Sequence, residues 1–455
     1  MSKMQKAGNN VQFTNQQKRM NNIRNAEGAN KEYFRRIRIS DYISGQAIYG
    51  LGDYPAKVSA KPTEYDRKLI AQMAENGVKL IQLHEEWNDA CRLYGADKFS
   101  AVDEEGMKEF VALCHSYGIR VIAYMSTCYF PKLDADYKAD FQRKGTSLAM
   151  NYMNYVHCNH GSASWREYCM NRMLEAVDRY GFDGIFNDVW HDQVLFDYEK
   201  EEQICTDAPV VYDPDFEDMI YQLYSAVKKR GGIYKLHMSG VGDAPCRDKV
   251  YDYMWVGEGL KDVAPGLGKD YMGYVVPCLD RHWYEGVTAK TYFAYTIPFM
   301  QFPLLKIGRP IMGQNVGLRN VTYYGGDEEE FYAKVGQYMR KNPDGPYVYS
   351  LWSSIPDDPT EFDVWSYYMK LYAPMTTQDS LAYIEIRKCD EILSPIPERV
   401  YASMFVNEES YLVLSNLTDT DYTLQLKNKW KNRETGVEAE CFDVKPEELI
   451  FLIKV

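Results

Sequence analysis

The residues best able to do chemistry in this sequence stand just behind short, β-branched apolar runs. Gly77-Val-Lys-Leu-Ile-Gln-Leu-His84 leads into Glu85-Glu86-Trp87, and Gly118-Ile-Arg-Val-Ile-Ala-Tyr-Met125 carries Tyr124 near its end. Gly181-Phe-Asp-Gly-Ile-Phe-Asn-Asp188 ends on Asn187 and Asp188 and runs on into Val189-Trp190-His191-Asp192. Gly232-Ile-Tyr-Lys-Leu-His-Met-Ser239 holds Lys235 and His237 two residues apart, and Tyr253-Met-Trp-Val-Gly-Glu258 sets Trp255 before Glu258. Trp352 closes a later run. Carboxylates, imidazoles and indoles at successive strand ends describe a polar pocket with aromatic walls. That inventory suits cleavage of a glycosidic bond, whose transition state is a flattened, positively charged sugar. Such a site needs one carboxylate beneath the anomeric carbon and a second carboxyl to protonate the departing oxygen.

Asp188, at its strand end, is the expected catalytic centre, and Glu258 is a candidate for the second carboxyl. The expected substrate ligands are His84, Glu85, Trp87, Tyr124, Asn187, His191, Asp192, Lys235, His237, Trp255 and Trp352, with no metal and no cofactor. Each has a plainer reading. Asp188 could cap its strand, and a lone His is more often a satisfied core residue. Glu85, Glu86 and Asp280 compete with Glu258, although Asp280 beside Arg281 reads as an ion-paired structural residue. Asp183, at the start of its run, belongs to the turn that begins the strand. Lys235 and His237 share one face, and both reach a pocket only if that face looks inward.

These residues must be held by regular elements. Helical patterns precede four of the runs, over 66–76, 104–117, 164–180 and 216–230, and Ser164-Trp-Arg-Glu167 reads as a capping box. Gly at the head of each run closes the helix before it. Helix, Gly, strand, repeated every 40 to 60 residues or so, is the rhythm of a (β/α)8 barrel. Gln46–Gly50 supplies a first strand, Tyr253–Glu258 a sixth, the stretch 296–313 a seventh and Pro346–Ser353 an eighth, with Glu361–Tyr372 as the last helix. The α/β barrel is expected over 41–374. A flexible N-terminal arm occupies 1–40, and the alternating runs of 375–455 form a small C-terminal antiparallel β-sandwich.

The chain has 455 residues, a formal charge of −13 and a 14% aromatic share carried mainly by 39 Tyr. Flat aromatic faces suit an oligosaccharide or glycoside. The acidic balance argues against nucleic acid, since the one basic run is Arg35-Arg36-Ile37-Arg38. No run of 18 apolar residues predicts a membrane span. Ten scattered Cys without paired spacing, and a polar start with no leader-like stretch, point to a cytoplasmic enzyme. Oligomeric state is not legible.

Tyr-Gly-Phe-Asp-Gly-Ile followed by a strand-end Asp resembles the fourth-strand signature of the α-glycosidase superfamily, which includes α-amylase-like and α-galactosidase-like (melibiase) barrels. The resemblance implies that Asp188 is the nucleophile and that a carboxylic acid after the sixth strand, here Glu258, is the acid/base. The chain departs from both branches: Phe186 stands where the amylase-like pattern has Arg, and no Lys occupies the melibiase position. Two rival functions are a metal-dependent deacetylase or amidohydrolase and a carbohydrate-binding barrel without catalysis. The first needs a His-x-His near the first strand, which Ala47-Ile-Tyr-Gly50 lacks.

Overall fold

The computed structural model describes residues 3–37, 42–52, 59–90, 92, 94–132, 134–150, 153–189, 196–197, 202–203, 213–238, 246–256, 274–277, 288–310, 361–376 and 380–455. Helix α1 (Lys3–Ala29) and strand β1 (Phe34–Ile37) come first, then β2 (Gln46–Gly50), α2 (Glu64–Glu75), β3 (Leu80–Leu83), α3 (Glu104–Ser116) and β4 (Arg120–Ser126). A three-stranded antiparallel excursion follows, made of β5 (Tyr129–Pro131), β6 (Gln142–Met150) and β7 (Met153–Cys158). The chain returns through α4 (Ala163–Tyr180) to β8 (Gly184–Asp188). A two-residue ladder, β9 (Phe196–Asp197) with β10 (Glu202–Gln203), precedes α5 (Pro214–Lys229), β11 (Ile233–Met238), β12 (Tyr253–Val256) and β13 (Val275–Pro277). Then come α6 (Ala289–Thr296), β14 (Leu305–Gly308) and α7 (Glu361–Thr376). Six strands end the chain: β15 (Leu381–Ile384), β16 (Val400–Val406), β17 (Ser410–Asn416), β18 (Tyr422–Asn432), β19 (Glu438–Val444) and β20 (Glu448–Lys454).

Eight parallel strands run in the order β13-β12-β11-β8-β4-β3-β2-β14, so the last strand lies against the first. The sheet curls until its two edges meet, where the Leu304 amide donates to the Pro277 carbonyl at 2.6 Å. Both faces are buried, as expected when helices cover a parallel sheet. Alternate positions divide cleanly. Ile48, Leu80, Ile122, Tyr124, Phe186, Ile233, Tyr253 and Trp255 form one cluster inside the barrel. Ala47, Tyr49, Ile81, Val121, Ala123, Ile185, Tyr234 and Met254 pack outward against the helices. Among the described residues, no helix is long and apolar enough to cross a membrane.

The barrel departs from the sequence expectations in strand count. The seventh strand is β13, only three residues long, and the strand within 296–313 is the eighth. The eighth strand expected at 346–353 lies outside the described residues. The α4 cap also moves: Ser162, not Ser164, accepts from the Trp165 amide, while Ser164 donates to Asp140. A capping box does occur at Thr63 and Asp66, at the start of α2. Gly181 closes α4 with φ 72°, but before β11 the left-handed residue is Gly231, not Gly232.

The remaining strands form a seven-stranded antiparallel sheet, β1-β15-β16-β17-β20-β18-β19. Its first member belongs to the segment expected to be a flexible arm. Phe34 to Ile37 pairs with Ile384 to Leu381, and α1 lays Ile23 and Ala26 into the apolar cluster on that side of the sheet. Asn22 Nδ2 caps the Asn407 and Glu408 carbonyls, and the Asp390 amide donates to Asn30 Oδ1. The other sheet face joins the barrel's outer core through Tyr383, Phe405, Val413 and Phe451. Tyr383 and Ser403 hydroxyls both donate to the Pro298 carbonyl at 2.7 Å.

Candidate active site

Strand β8 carries its acid to the barrel mouth by simple alternation. Phe186 and Asp188 look inward, while Ile185 and Asn187 look toward the helices. The strand begins at Gly184, φ 147°, where a Cβ would stand 1.8 Å from the Ile233 carbonyl oxygen, so only Gly lets β8 and β11 approach. Asp183 sits at the opposite end, accepting from the Val121 amide and contacting His115 Nε2, both at 2.7 Å. Its role is structural, as its place in the turn suggests.

Asp188 is engaged on both oxygens. The Tyr124 hydroxyl on β4 donates to Oδ2 at 2.7 Å, and His237 Nδ1 on β11 lies 2.5 Å from Oδ1. Ser126 Oγ donates to the Asp188 carbonyl and accepts from the Cys128 and Tyr129 amides, which fixes the strand end against the next turn. Burial alone would raise the Asp188 pKa. The His237 ring, the Tyr124 hydroxyl and the charge of Lys98 outweigh it and hold the carboxyl below the usual aspartate value. About a fifth of the side chain (19%) remains exposed, so a ligand can reach it.

Around this carboxylate the interior is aromatic below and basic at the sides. The Trp255 ring lies 4.5 Å from His237, 5.5 Å from Phe186 and 6.2 Å from His84 by centroids. His84 stacks on Tyr124 at 5.8 Å, with Nε2 3.2 Å from Gln82 Nε2. Burial, aided by Lys306, His237 and Lys235, pushes its pKa down to about 3, leaving a neutral ring. Lys235 points inward like His237 and donates to Gln46 Oε1 at 3.0 Å. Lys98 is buried, pairs with Glu85 at 3.4 Å and lies 5.7 Å from the Tyr124 ring centroid.

Asp188, Tyr124, His84, Lys235, His237 and Trp255 therefore share one site, and Glu85 reaches it through Lys98. Two expected ligands do not belong to it. Asn187 is fully buried on the helix side, its amide taken up by Thr127 and the Tyr234 hydroxyl. Trp87 is turned out by the 3-10 turn Glu85–Trp87, its indole N–H donating to the Tyr124 carbonyl and its ring edge-on to Tyr180 and Phe182. Glu258, Trp190, His191, Asp192, Asp280 and Trp352 lie outside the described residues.

Four site residues escape sequence reasoning: Gln46, Gln82, Lys98 and Lys306. The two Gln occupy inward positions of β2 and β3, a signal readable once parity is fixed. Lys306 pairs in register with the inward Ile48, but it sits on the eighth strand, which the sequence pattern counts as the seventh. Lys98 lies in a loop with no motif. Among the described residues, no three His, Cys, Asp or Glu converge as a metal-ligand set.

No known family profile matches the sequence, and no curated protein matches it. Solved structures do. A noncanonic maltogenic α-amylase from Thermotoga neapolitana aligns with TM-score 0.53 and 14% identity, over 91% of this chain and 99% of its own. An α-amylase from Geobacillus thermoleovorans, complexed with acarbose, aligns with TM-score 0.54, 12% identity and the same two coverages. Trehalose-6-phosphate hydrolase from Bacillus licheniformis gives TM-score 0.52 at 13% identity, again over 91% and 99%. At this identity the likeness is one of fold: the chain is built as an α-amylase-like barrel followed by a C-terminal sheet domain.

Proposed function

We propose that the chain is a retaining glycoside hydrolase of neutral oligosaccharides or glycoconjugates, with Asp188 as nucleophile. The observation that carries this reading is the Asp188 carboxyl: ionised, oriented on both oxygens, partly open, and at the mouth of the fourth barrel strand. An ionised carboxylate facing an aromatic-lined cavity can attack an anomeric carbon or stabilise positive charge on it. Trp255, Tyr124 and His84 would flank the sugar, while Lys235 and His237 would meet its hydroxyls. By its place after the sixth strand, Glu258 is the acid/base that the sequence nominates. The kinship in fold with maltogenic α-amylase and trehalose-6-phosphate hydrolase supports a sugar substrate. A cytoplasmic setting belongs to the same proposal, supported by seven free thiols among the described cysteines.

The test is hydrolysis of a panel of 4-nitrophenyl α- and β-glycosides by the purified full chain. Asp188→Asn is expected to lose at least about 10³-fold in kcat, the scale seen when a principal catalytic group is removed. Turnover unchanged in that variant, or none by the wild type on any glycoside, would refute the reading.

One observation favours a second reading. His237 Nε2 is buried without a partner among the described residues, while Nδ1 faces Asp188. In that arrangement Asp188 orients an imidazole that acts as general base. Azide separates the two: it restores turnover to Asp188→Asn if the carboxylate is the nucleophile, and does nothing if His237 is the base.

A further inference from the structure

Phe186 stands two residues before Asp188 on β8 and shares its inward face, so its ring fills the layer beneath the carboxylate. Four side chains of the site pack on that ring. By centroids Trp255 lies 5.5 Å from it, His84 5.8 Å, Tyr124 5.9 Å and His237 6.2 Å. All four fall within the roughly 4.5 to 7 Å of aromatic contact. They come from four different strands, β12, β3, β4 and β11, and Phe186 is where those strands meet inside the barrel.

Two of the four are the groups that hold Asp188: Tyr124 at Oδ2 and His237 at Oδ1. Tyr124 packs against His84 and Phe186, and His237 packs against Trp255 and Phe186. Phe186 is the support that both share. The register accounts for this. Phe186 pairs with Tyr124 on one side and with Lys235 on the other, so Tyr124 stands directly beside it. His237, two residues on from Lys235 and on the same face, stands diagonally above it. Asp188 itself pairs with Ser126, so the Tyr124 ring must lean along its strand for the hydroxyl to reach Oδ2. In a close-packed interior such a lean is kept by whatever fills the space beside it.

We propose that Phe186 is a positioning residue for Asp188, whose ring fixes Tyr124 and His237 in place and so keeps both carboxylate oxygens engaged. Phe186 is 1% exposed and acts only through these neighbours. A smaller side chain would leave a cavity on the side that both partners share, and Tyr124 and His237 would settle into it, away from the oxygens. Asp188 would then lose the interactions that keep it ionised against its own burial, and would take up a proton at higher pH. The plainer role, a core residue and nothing more, predicts a loss of stability that leaves the titration of Asp188 where it was. The catalytic consequence rests on the glycosidase reading, in which only the ionised carboxylate attacks; the effect on the carboxylate does not.

Three variants of the full chain separate these roles. Phe186→Leu removes the ring, and Phe186→Met keeps most of the volume without the flat faces. Ile185→Ala opens a cavity on the outward face of the same strand, where Ile185 is fully buried. One readout is carboxyl carbon-13 NMR of Asp188, its signal assigned by its loss in Asp188→Asn. The other is the pH dependence of kcat/KM, which reports the ionisation of the free enzyme, on whichever glycoside the wild type cleaves. In Phe186→Leu, Asp188 should titrate at higher pH than in the wild type and the acid limb of the profile should move up with it. Its kcat should fall about 10- to 100-fold, the scale of a displaced catalytic group. Phe186→Met should show the same shifts in milder form, and it decides the matter if Phe186→Leu does not fold. Ile185→Ala should melt at lower temperature with the titration and the acid limb unmoved. An Asp188 titration unchanged in the Phe186 variants that fold, or shifted as far in Ile185→Ala, overturns the proposal. If the wild type cleaves no glycoside, the glycosidase reading falls, and the titration alone still decides whether Phe186 positions Asp188.

Discussion

Replacing Tyr124 by Phe removes a single oxygen from the site and leaves the ring that stacks on His84. The lost contact is the 2.7 Å hydrogen bond to Asp188 Oδ2, given to a carboxylate with 19% of its side chain exposed. Hydrogen bonds to charged groups contribute about 1.5–3 kcal/mol, and losing this one raises the Asp188 pKa back toward the usual aspartate value. The His237 contact remains, so Asp188 should still ionise below neutrality. The sign follows from the direction of the shift. The Asp188 pKa is depressed in the folded protein, so its stabilising effect is present above the unfolded aspartate pKa and lost as pH falls through the folded value. Tyr124→Phe should therefore lower stability at pH 7 by about 1.5–3 kcal/mol, with the difference shrinking as pH falls through the depressed folded value of the carboxyl. Urea unfolding of both proteins at pH 7 and at a series of falling pH values measures it. A difference below about 0.5 kcal/mol at pH 7, or one that does not shrink anywhere along the acid series, would show that the Tyr124 hydroxyl does not hold the Asp188 charge.

Two further substitutions test the frame rather than the site. Gly184→Ala drives a methyl into the Ile233 carbonyl at a φ that Ala disfavours. It should cost about 3 kcal/mol or more, and an unchanged melting temperature would contradict the close approach of β8 to β11. Arg309 donates from Nε and Nη2 to both oxygens of Asp66, at 2.9 and 3.0 Å, and Asp66 is fully buried. Arg309→Met should cost about 3–5 kcal/mol at pH 7 by stranding that carboxylate. Because burial raises the Asp66 pKa but Arg309, Tyr49 and Thr63 together lower it, the penalty should fade as pH drops through the folded value. A penalty that persists in acid would mean that packing, not charge, is what Arg309 supplies.

Much of the barrel is legible because its strands are buried on both faces and four of them, β3, β4, β8 and β11, follow a helix. A run such as Gly118 to Met125 has few other ways to be stable. Asp188 is legible for the same reason, since its strand, its parity and its end are all set by Gly181 to Asp188. Side-chain direction beyond a strand end is another matter. Trp87 and Asn187 have the right types at the right places, yet a 3-10 turn rotates one outward and alternation sends the other to the helices. Strand β13 is too short to show a pattern, which shifted the count and hid Lys306. Helix α1 is rich in Asn, Gln and Lys, and it is held by Ile23, Ala26 and hydrogen bonds to distant backbone, none of which leaves a periodic mark.

The pairing of β1 with β15 has a consequence for how the protein is made. Phe34 lies opposite Ile384, so the partner of the first strand is synthesised 350 residues later (384 − 34). At ribosomal speeds of about 5–20 residues per second, the first strand waits on the order of 20 to 70 s for its mate. Throughout that interval Phe34 to Ile37 is an open strand edge with an apolar side chain at each end, the kind of surface that pairs with the wrong neighbour. The two basic residues between them, Arg35 and Arg36, are the sort of charge that discourages such pairing. In the finished fold they turn to Glu385 and Ser380. The arginines that read in the sequence as a lone basic patch would thus serve first as guards of a waiting edge and only afterwards as partners in the closed sheet.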